Sequence, residues 1–478
     1  MYVCFYQFLK ILNTTYQTHT MKHSNFKFLL GLLVLITLNI SCSSADVALP
    51  PADTTVGPLS PSPSTLNLDN VMVNTESVSK SFTVSVTNVS TDITVTAPTY
   101  FKVSTDNVTF ASSQNIPVAN FASGSLVVYV KFAPTELGFK NGNITISSVT
   151  LSEKTVAVAG TGIPRVYNYP AFTNVAAAFG TGLSQSNTQT FTLHNDNSNI
   201  QKIYAYIKLR CPSAGCNAWD VFANVKVKDP SSNEWYEIAR YITPYGKNNA
   251  QVDRGFKVDV TDFKSLLSGT VELRSFVEVW GSDGWVVSVD FDFIEGTPDY
   301  PYYAISRLIQ YNDNSLEGVI YGENASAFDL TKSVQIPANA LATNLRTIIT
   351  GWGHATPNDP DGRPCAEWCF RTHNVKINGS NTFSHYLGPI GCASNLVQPQ
   401  SGNWSPDRAG WCPGMAVPIR TDNFSTSLAG QSLNYEYAFQ PWVNDLASTN
   451  ANIHAYYAIS SFVVVKSNTP IVKPTVTE

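Results

Sequence analysis

The sequence predicts an all-β protein, with an N-terminal immunoglobulin-like sandwich followed by two packed antiparallel jelly-roll domains. Three observations predict it. Charged residues make up only 14% of the chain and aromatics 12%, with 27 Pro and 28 Gly, a composition that suits strands joined by many turns. Apolar residues recur at every second position in short runs. Helix signals are sparse, and only Asp262-Phe263-Lys264-Ser265-Leu266-Leu267 reads as a single turn. At 478 residues the chain exceeds what one core normally uses. A net charge of −5 argues against nucleic acid or a polybasic membrane surface as partner.

The elements follow in order. Residues 1–42 read as a leader with an export signal. Met21, Lys22, His23 and Lys27 form a basic start, and Phe28 to Leu38 is an apolar core too short to span a bilayer comfortably. Met21 is the better start codon than Met1. The stretch Leu38-Asn39-Ile40-Ser41-Cys42 has the form of a relaxed lipobox, which would make Cys42 a lipidated first residue. An ordinary cleaved signal with an incidental cysteine is the alternative. Either way the chain is expected to be exported, as a cell-surface or periplasmic lipoprotein or as a secreted protein.

Residues 43–64 are a Pro/Ser/Thr-rich linker, suited to tethering. Residues 65–163 alternate as strands do: Phe82, Val84 and Val86 interleave with Thr83, Ser85 and Thr87, and the segment closes on Val156-Ala157-Val158-Ala159-Gly160. This is the spacing of a small immunoglobulin-like sandwich, read as a spacer or adhesion module because it gathers no titratable cluster. The turn-rich Gly296 to Pro301 divides two further β-rich units, 164–300 and 301–478, for which jelly rolls are the expected solution.

Cys4 and Cys42 belong to the leader, and six cysteines remain, in the close sets Cys211/Cys216, Cys365/Cys369 and Cys392/Cys412. An even count in an exported chain reads as disulfides. There is no Cys-x-x-Cys, no histidine pair at ligand spacing and no H-E-x-x-H, G-x-S-x-G or P-loop pattern, so no metal or cofactor is implied.

Three acids stand out. In Trp219-Asp220-Val221-Phe222-Ala223-Asn224-Val225-Lys226-Val227, the residues Val221, Ala223, Val225 and Val227 share the core face, so Asp220 points to the other one, just past the Cys211/Cys216 loop. It is either a solvated strand-end carboxylate or a catalytic group at a strand mouth. Glu278 shares a face with Phe276 and Trp280, opposite Val271, Leu273, Val277 and Val279. It is either a surface acid beside an interdomain Trp or a sugar-holding acid beside a stacking ring. Glu367 lies within Cys365-Ala366-Glu367-Trp368-Cys369. Four extended residues span roughly 13 Å, whereas bridged Cα atoms lie within roughly 7 Å. If the two cysteines pair, the chain must curl and Glu367 sits at the apex of a rigid loop. So short a loop removes little chain entropy, and the arrangement suits the positioning of a reacting group better than stability. Trp352, Trp404 and Trp411 lie beside Gly and Pro, as aromatic loops on carbohydrate surfaces do, although core burial is the usual fate of Trp.

Five stretches resemble the peptide-N-glycosidase F family: Gly180 to Ser186, Val260 to Gly269, Cys365 to His373, Pro406 to Val417, and Tyr457 to Phe462. The resemblance covers about residues 165–470. It implies two packed eight-stranded jelly rolls with the site at their interface, an amidase that releases N-linked glycans from asparagine, and no metal. It places the catalytic acids on Asp220, Glu367 and Glu278 and the substrate-binding residues on Trp280, Trp352, Arg408 and Trp411. It also implies the pairings Cys211–Cys216, Cys365–Cys369 and Cys392–Cys412, N-glycoproteins or glycopeptides as partners, and a monomer. The sequence departs from the family at Asn217, Ala218 and Val221, where the family carries charged residues, which leaves tolerance of core fucose open. An endo-acting glycosidase, a surface lectin and, by fold analogy, a copper monooxygenase are the competing readings. The last lacks clustered His and Met ligands.

Overall fold

The structure is a computed structural model and describes residues 59–87, 89–312, 317–442 and 455–478. The leader, Cys42 and nearly all of the linker lie outside the described residues.

The first sandwich packs two sheets. One orders Leu59–Ser62, Lys80–Val86, Ser125–Phe132 and Phe101–Ser104; the other orders Thr65–Met72, Lys154–Ile163, Gly138–Ser148, Ile93–Thr96 and Ser113–Ile116. The alternation read in the sequence is the cause: Phe82, Val84 and Val86 turn inward to meet Val130, Ile144 and Val158, while Thr83 and Ser85 stay outside that core. One pairing, Thr65–Met72 with Lys154–Ile163, is parallel, which alternation cannot reveal.

Two larger antiparallel sandwiches follow. In the first, Val166–Pro170, Trp285–Glu295, Ile200–Arg210 and Phe256–Asp259 form one sheet. Ser186–Thr192, Thr270–Val277, Phe222–Asp229 and Glu234–Ile242 form the other, and its last partner, Met415–Ala416, comes from far along the chain. The second sandwich packs Tyr302–Tyr311, Tyr456–Ser467, Ala342–Trp352 and Arg420–Asn423 against Ser380–Leu387, Arg371–Ile377, Ser432–Ala438, Thr331–Gln335 and Thr475–Thr477. The helical turn expected at Asp262–Leu267 is a 3₁₀ turn over Thr261–Phe263, extended by the Leu267 N–H bonding the Phe263 carbonyl.

Strand Phe222–Asp229 corrects one expectation. Ala223, Val225 and Val227 do face their own core, but the opposite face is not open. Phe222, Asn224 and Lys226 are buried as well. Phe222 joins Ile242, Phe276, Ile348, Trp352, Trp411 and Tyr456 in an apolar cluster between the two sandwiches. A strand buried on both faces is the expected outcome where one sheet packs on two neighbours.

Candidate active site

The site lies where loops from the two sandwiches meet. Asp220 stands two residues before strand Phe222–Asp229. Its approach is fixed by the Cys211–Cys216 disulfide and by Thr243, whose hydroxyl accepts from Val221 N–H (2.8 Å) and donates to the Trp219 carbonyl (3.0 Å). Asn217 is buried, and its side-chain oxygen accepts from Trp219 N–H.

Glu367 is held from the other side. Cys365 and Cys369 are bonded, with Cα atoms 4.8 Å apart, so the chain curls as the sequence argument required. Strand Ala342–Trp352 comes close beneath this loop because residue 351 is glycine: a Cβ there would lie 2.2 Å from the Ala366 carbonyl oxygen.

Arg408 joins the two acids. Its side chain is 0% exposed, against 12% for Asp220 and 15% for Glu367. Nε donates to Glu367 Oε1 at 3.1 Å, Nη1 to the Pro406 carbonyl, and Nη2 to both the Tyr245 hydroxyl and the Asn403 carbonyl at 2.9 Å. Nη2 also lies 3.0 Å from Asp220 Oδ2, yet among the described residues that buried oxygen receives no hydrogen bond. Both Nη2 protons are already committed to Tyr245 and Asn403, so Arg408 gives Asp220 charge without a proton. Arg408 also faces the rings of Trp368 (4.5 Å) and Trp411 (5.0 Å). Its loop is clamped by the next residue back: Asp407 accepts from the N–H groups of Ile390, Gly391 and Cys392. Asp407 lies beside Cys392 and Cys412, but these sulfurs are bonded to each other and so are not the thiolates a metal needs.

The electrostatics follow from burial. Loss of water pushes the Asp220 carboxyl up, and the charge of Glu367 adds to this; Arg408 and a hydrogen bond from Tyr245 oppose them, and the result is about 7. Burial and the neighbouring Asp220 raise the Tyr245 hydroxyl, which therefore stays protonated. His354 Nε2 sits 3.5 Å from Glu367 Oε2 and 2.8 Å from Trp368 Nε1. These contacts compete, since accepting from Trp368 leaves no Nε2 proton for Glu367. In the shorter contact Nε2 accepts and His354 is neutral, while the nearby Glu367 raises its pKa.

The other expected residues are placed less directly. Glu278 follows the end of strand Thr270–Val277, and its N–H donates to the Phe222 carbonyl at 2.9 Å, which brings it alongside the Asp220 segment. It is buried and not the surface acid that one reading allowed. Trp280, beyond it, is 59% exposed. Trp352 and Trp411 differ from the exposed loop rings expected of them. They pack on each other at 4.6 Å between the sandwiches, with their N–H groups bonded to Thr350 and to the Gly351 carbonyl. Trp411 is fully buried, so it supports Arg408 and offers no open face to a ligand. Sequence reasoning missed Tyr245, Trp368 and His354 as members of the site. The last two adjoin residues it had singled out; Tyr245 carries no local signal and is found only through the fold.

The family model "Peptide-N-glycosidase F, C terminal" matches residues 321–464. The chain is also 50% identical over 334 residues, 69% of its length, to peptide-N(4)-(N-acetyl-beta-D-glucosaminyl)asparagine amidase F of Elizabethkingia miricola, 93% of which is covered. The chain belongs to the peptide-N-glycosidase F family. The solved structure of PNGase F from Flavobacterium meningosepticum superposes with a TM-score of 0.63 at 51% identity, covering 66% of this chain and all of that one. The structure of PNGF-II, at 12% identity and TM-score 0.51, covers 79% of this chain and 82% of its own; at that distance it speaks for the fold alone.

Proposed function

We propose that this chain is a peptide-N4-(N-acetyl-β-glucosaminyl)asparagine amidase, which hydrolyses the amide between N-acetylglucosamine and asparagine in N-glycoproteins and glycopeptides. The observation that carries the reading is the Asp220–Arg408–Glu367 bridge, contributed by both sandwiches, in a chain that is half identical to an amidase of this name. Water adds to the side-chain carbonyl carbon and the C–N bond breaks. Asparagine becomes aspartate, and the glycosylamine released then loses ammonia.

An unactivated amide needs an aligned water and support for developing charge. Asp220 fits the base: its side chain keeps 12% exposure at the site and its pKa is about 7, suited to taking a proton near neutrality. Glu367, fixed by Arg408, binds the linkage, and the proton that Asp220 takes from the attacking water passes on to the departing nitrogen. Glu278 and the exposed Trp280 hold the first sugar. Trp352 and Trp411 act through the packing that places Arg408.

Mass analysis of a defined N-glycopeptide after incubation tests this. Conversion of Asn to Asp with incorporation of solvent oxygen is expected, and Asp220→Asn should abolish it without unfolding the protein. A sugar left on Asn would instead make the chain an endo-acting glycosidase, and binding without release would make it a lectin.

The same proposal extends to location. A lipidated Cys42 on a Pro/Ser/Thr tether would display the enzyme outside the cytoplasm, and three disulfides suit an oxidising compartment. The 65–163 module serves as a spacer in this reading. Loss of membrane fractionation in Cys42→Ala is the expected check.

A further inference from the structure

We infer that Asp407 is a positioning residue for the reaction: it fixes the turn that carries Arg408 onto the 388–392 segment, and so fixes how close the guanidinium charge stands to Asp220. This rests on the amidase reading.

Arg408 is the crest of a short turn that one segment grips on both sides. Ahead of it, Asp407 Oδ1 accepts from the N–H groups of Ile390 (3.2 Å), Gly391 (2.7 Å) and Cys392 (2.9 Å). Three successive backbone N–H groups turned to one oxygen form a concavity that suits an anion. Behind it, the Gly410 N–H bonds the Gly388 carbonyl at 3.0 Å. Gly410 takes φ of +80° to do so, a backbone that side-chain-bearing residues rarely adopt. The gripping segment directly follows strand Ser380–Leu387. The turn is thereby referred to a sheet of the second sandwich.

Stability is a poor account of this grip. Cys392 and Cys412 already bond across the same loop, so the carboxylate is not needed to close it. Ile390 and Gly391 are exposed, and water can take their N–H groups once the carboxylate is gone. Exchanging such a hydrogen bond for one to water changes stability little. What Asp407 adds beyond the disulfide is placement of the residue next to it.

Placement matters at Arg408 because its contacts are of two kinds. Toward Glu367, Tyr245, Asn403 and Pro406 the guanidinium makes hydrogen bonds, which resist small displacements through their own geometry. Toward Asp220 it offers charge alone at 3.0 Å. A Coulomb attraction falls smoothly with distance and sets no preferred direction. A turn free to drift would therefore weaken its hold on Asp220 before it broke its other contacts. Asp407 guards the one link in the site that has no hydrogen bond of its own to keep it in register.

The test is a pH profile of kcat/KM for Asn-to-Asp conversion in a defined N-glycopeptide, with a thermal melt of each variant. A charge that recedes from 3.0 Å to about 4 Å loses about a quarter of its effect. In Asp407→Ala the acid limb should accordingly move to higher pH by about half a unit, and kcat should fall on the order of tenfold. Tm should stay within about 3 °C of the wild type. Asp407→Asn keeps Oδ1 as an acceptor for the same three N–H groups, and should restore the limb and most of kcat. An unshifted limb in Asp407→Ala would show that Asp407 does not govern the distance to Asp220. An Asn variant as impaired as the Ala variant would place the role in the charge of Asp407 and not in its grip. A melt far below the wild type would make the clamp structural. Each of these overturns the inference. Wild type that leaves Asn unconverted would sink the amidase reading itself, which is a separate failure.

Discussion

Asp220 and Arg408 are a pair in which proximity and hydrogen bonding have been separated. A carboxylate 3.0 Å from a guanidinium nitrogen ordinarily gains both charge and a proton contact; here it gains the charge alone. The balance leaves Asp220 near 7, so the fraction of enzyme with an ionised base rises as pH rises through that value. The acid limb of kcat/KM is therefore expected near pH 7. Arg408→Gln removes the largest influence holding the carboxylate down. An opposite charge at this range is worth about 1–3 pKa units, so the acid limb should move to higher pH by about that much, with about a fivefold loss at pH 7 for the first unit and about tenfold for each further one. A pH–rate profile of the variant, with a thermal melt to confirm folding, measures this; an unshifted limb would mean that Asp220 does not set it. At this scale the sequence was partly legible. Strand alternation and the Cys-x-x-x-Cys spacing singled out Asp220, Glu278 and Glu367, but their neutral alternatives stood until family resemblance weighed in. Tyr245 lay beyond reach, because its role depends on a contact with Arg408, 163 positions away.

The elements that carry the site are short and locally over-determined. The Cys365–Cys369 loop is fixed by its disulfide, by the close approach that Gly351 permits, and by the Ala409 N–H bonding the Glu367 carbonyl at 2.8 Å. A cross-link of sequence separation 4 limits the unfolded chain only slightly, so Cys365→Ala/Cys369→Ala should cost about 2 kcal/mol of stability. Its effect on turnover should be larger, on the order of a hundredfold in kcat, since small misplacement of a reacting group has such consequences. Denaturant melts and steady-state kinetics on the double variant separate the two. A large loss of stability with kcat preserved would return the loop to a structural role. The strands were legible wherever one face was apolar and the other polar, as in Lys80–Val86. They were less so in Phe222–Asp229, where alternation marks the Ala223, Val225 and Val227 face as core and says nothing of what the face of Asn224 and Lys226 meets. Polar residues at an interface and polar residues in water give the same pattern in sequence, and only the partner surface tells them apart.

For the molecule as a whole, that interface decides whether there is a site, because Asp220 belongs to one sandwich and Glu367 and Arg408 to the other. Part of the contact is apolar, around Phe222, Trp352 and Trp411, and part is a buried charge network. Arg240 forks onto both oxygens of Glu237 (2.9 and 2.8 Å), then reaches across to the Thr350 hydroxyl and the Ala458 carbonyl. Ser460 and Asn312 complete the Glu237 shell, and Lys226 bonds Asn312. Burial pushes the Glu237 carboxyl up, but Arg240 and Lys226 outweigh it and hold it below its ordinary value of 4.5. A carboxylate depressed in the folded state binds fewer protons there than in the unfolded chain. Its stabilisation is thus full above about pH 4.5 and is lost as pH falls through the folded value. Glu237→Gln keeps the shape but leaves Arg240 buried without its counter-charge, which should cost about 3–5 kcal/mol. Differential scanning calorimetry should show a lower Tm at neutral pH and a shallower decline of Tm on acidification below about 4.5 than in the wild type. Activity should disappear over the same temperature range as the fall in Tm, since loosening the interface separates Asp220 from Arg408. If the variant melted lower but stayed active up to the wild-type inactivation temperature, the charge network would stabilise one sandwich alone and the apolar cluster would suffice to assemble the site.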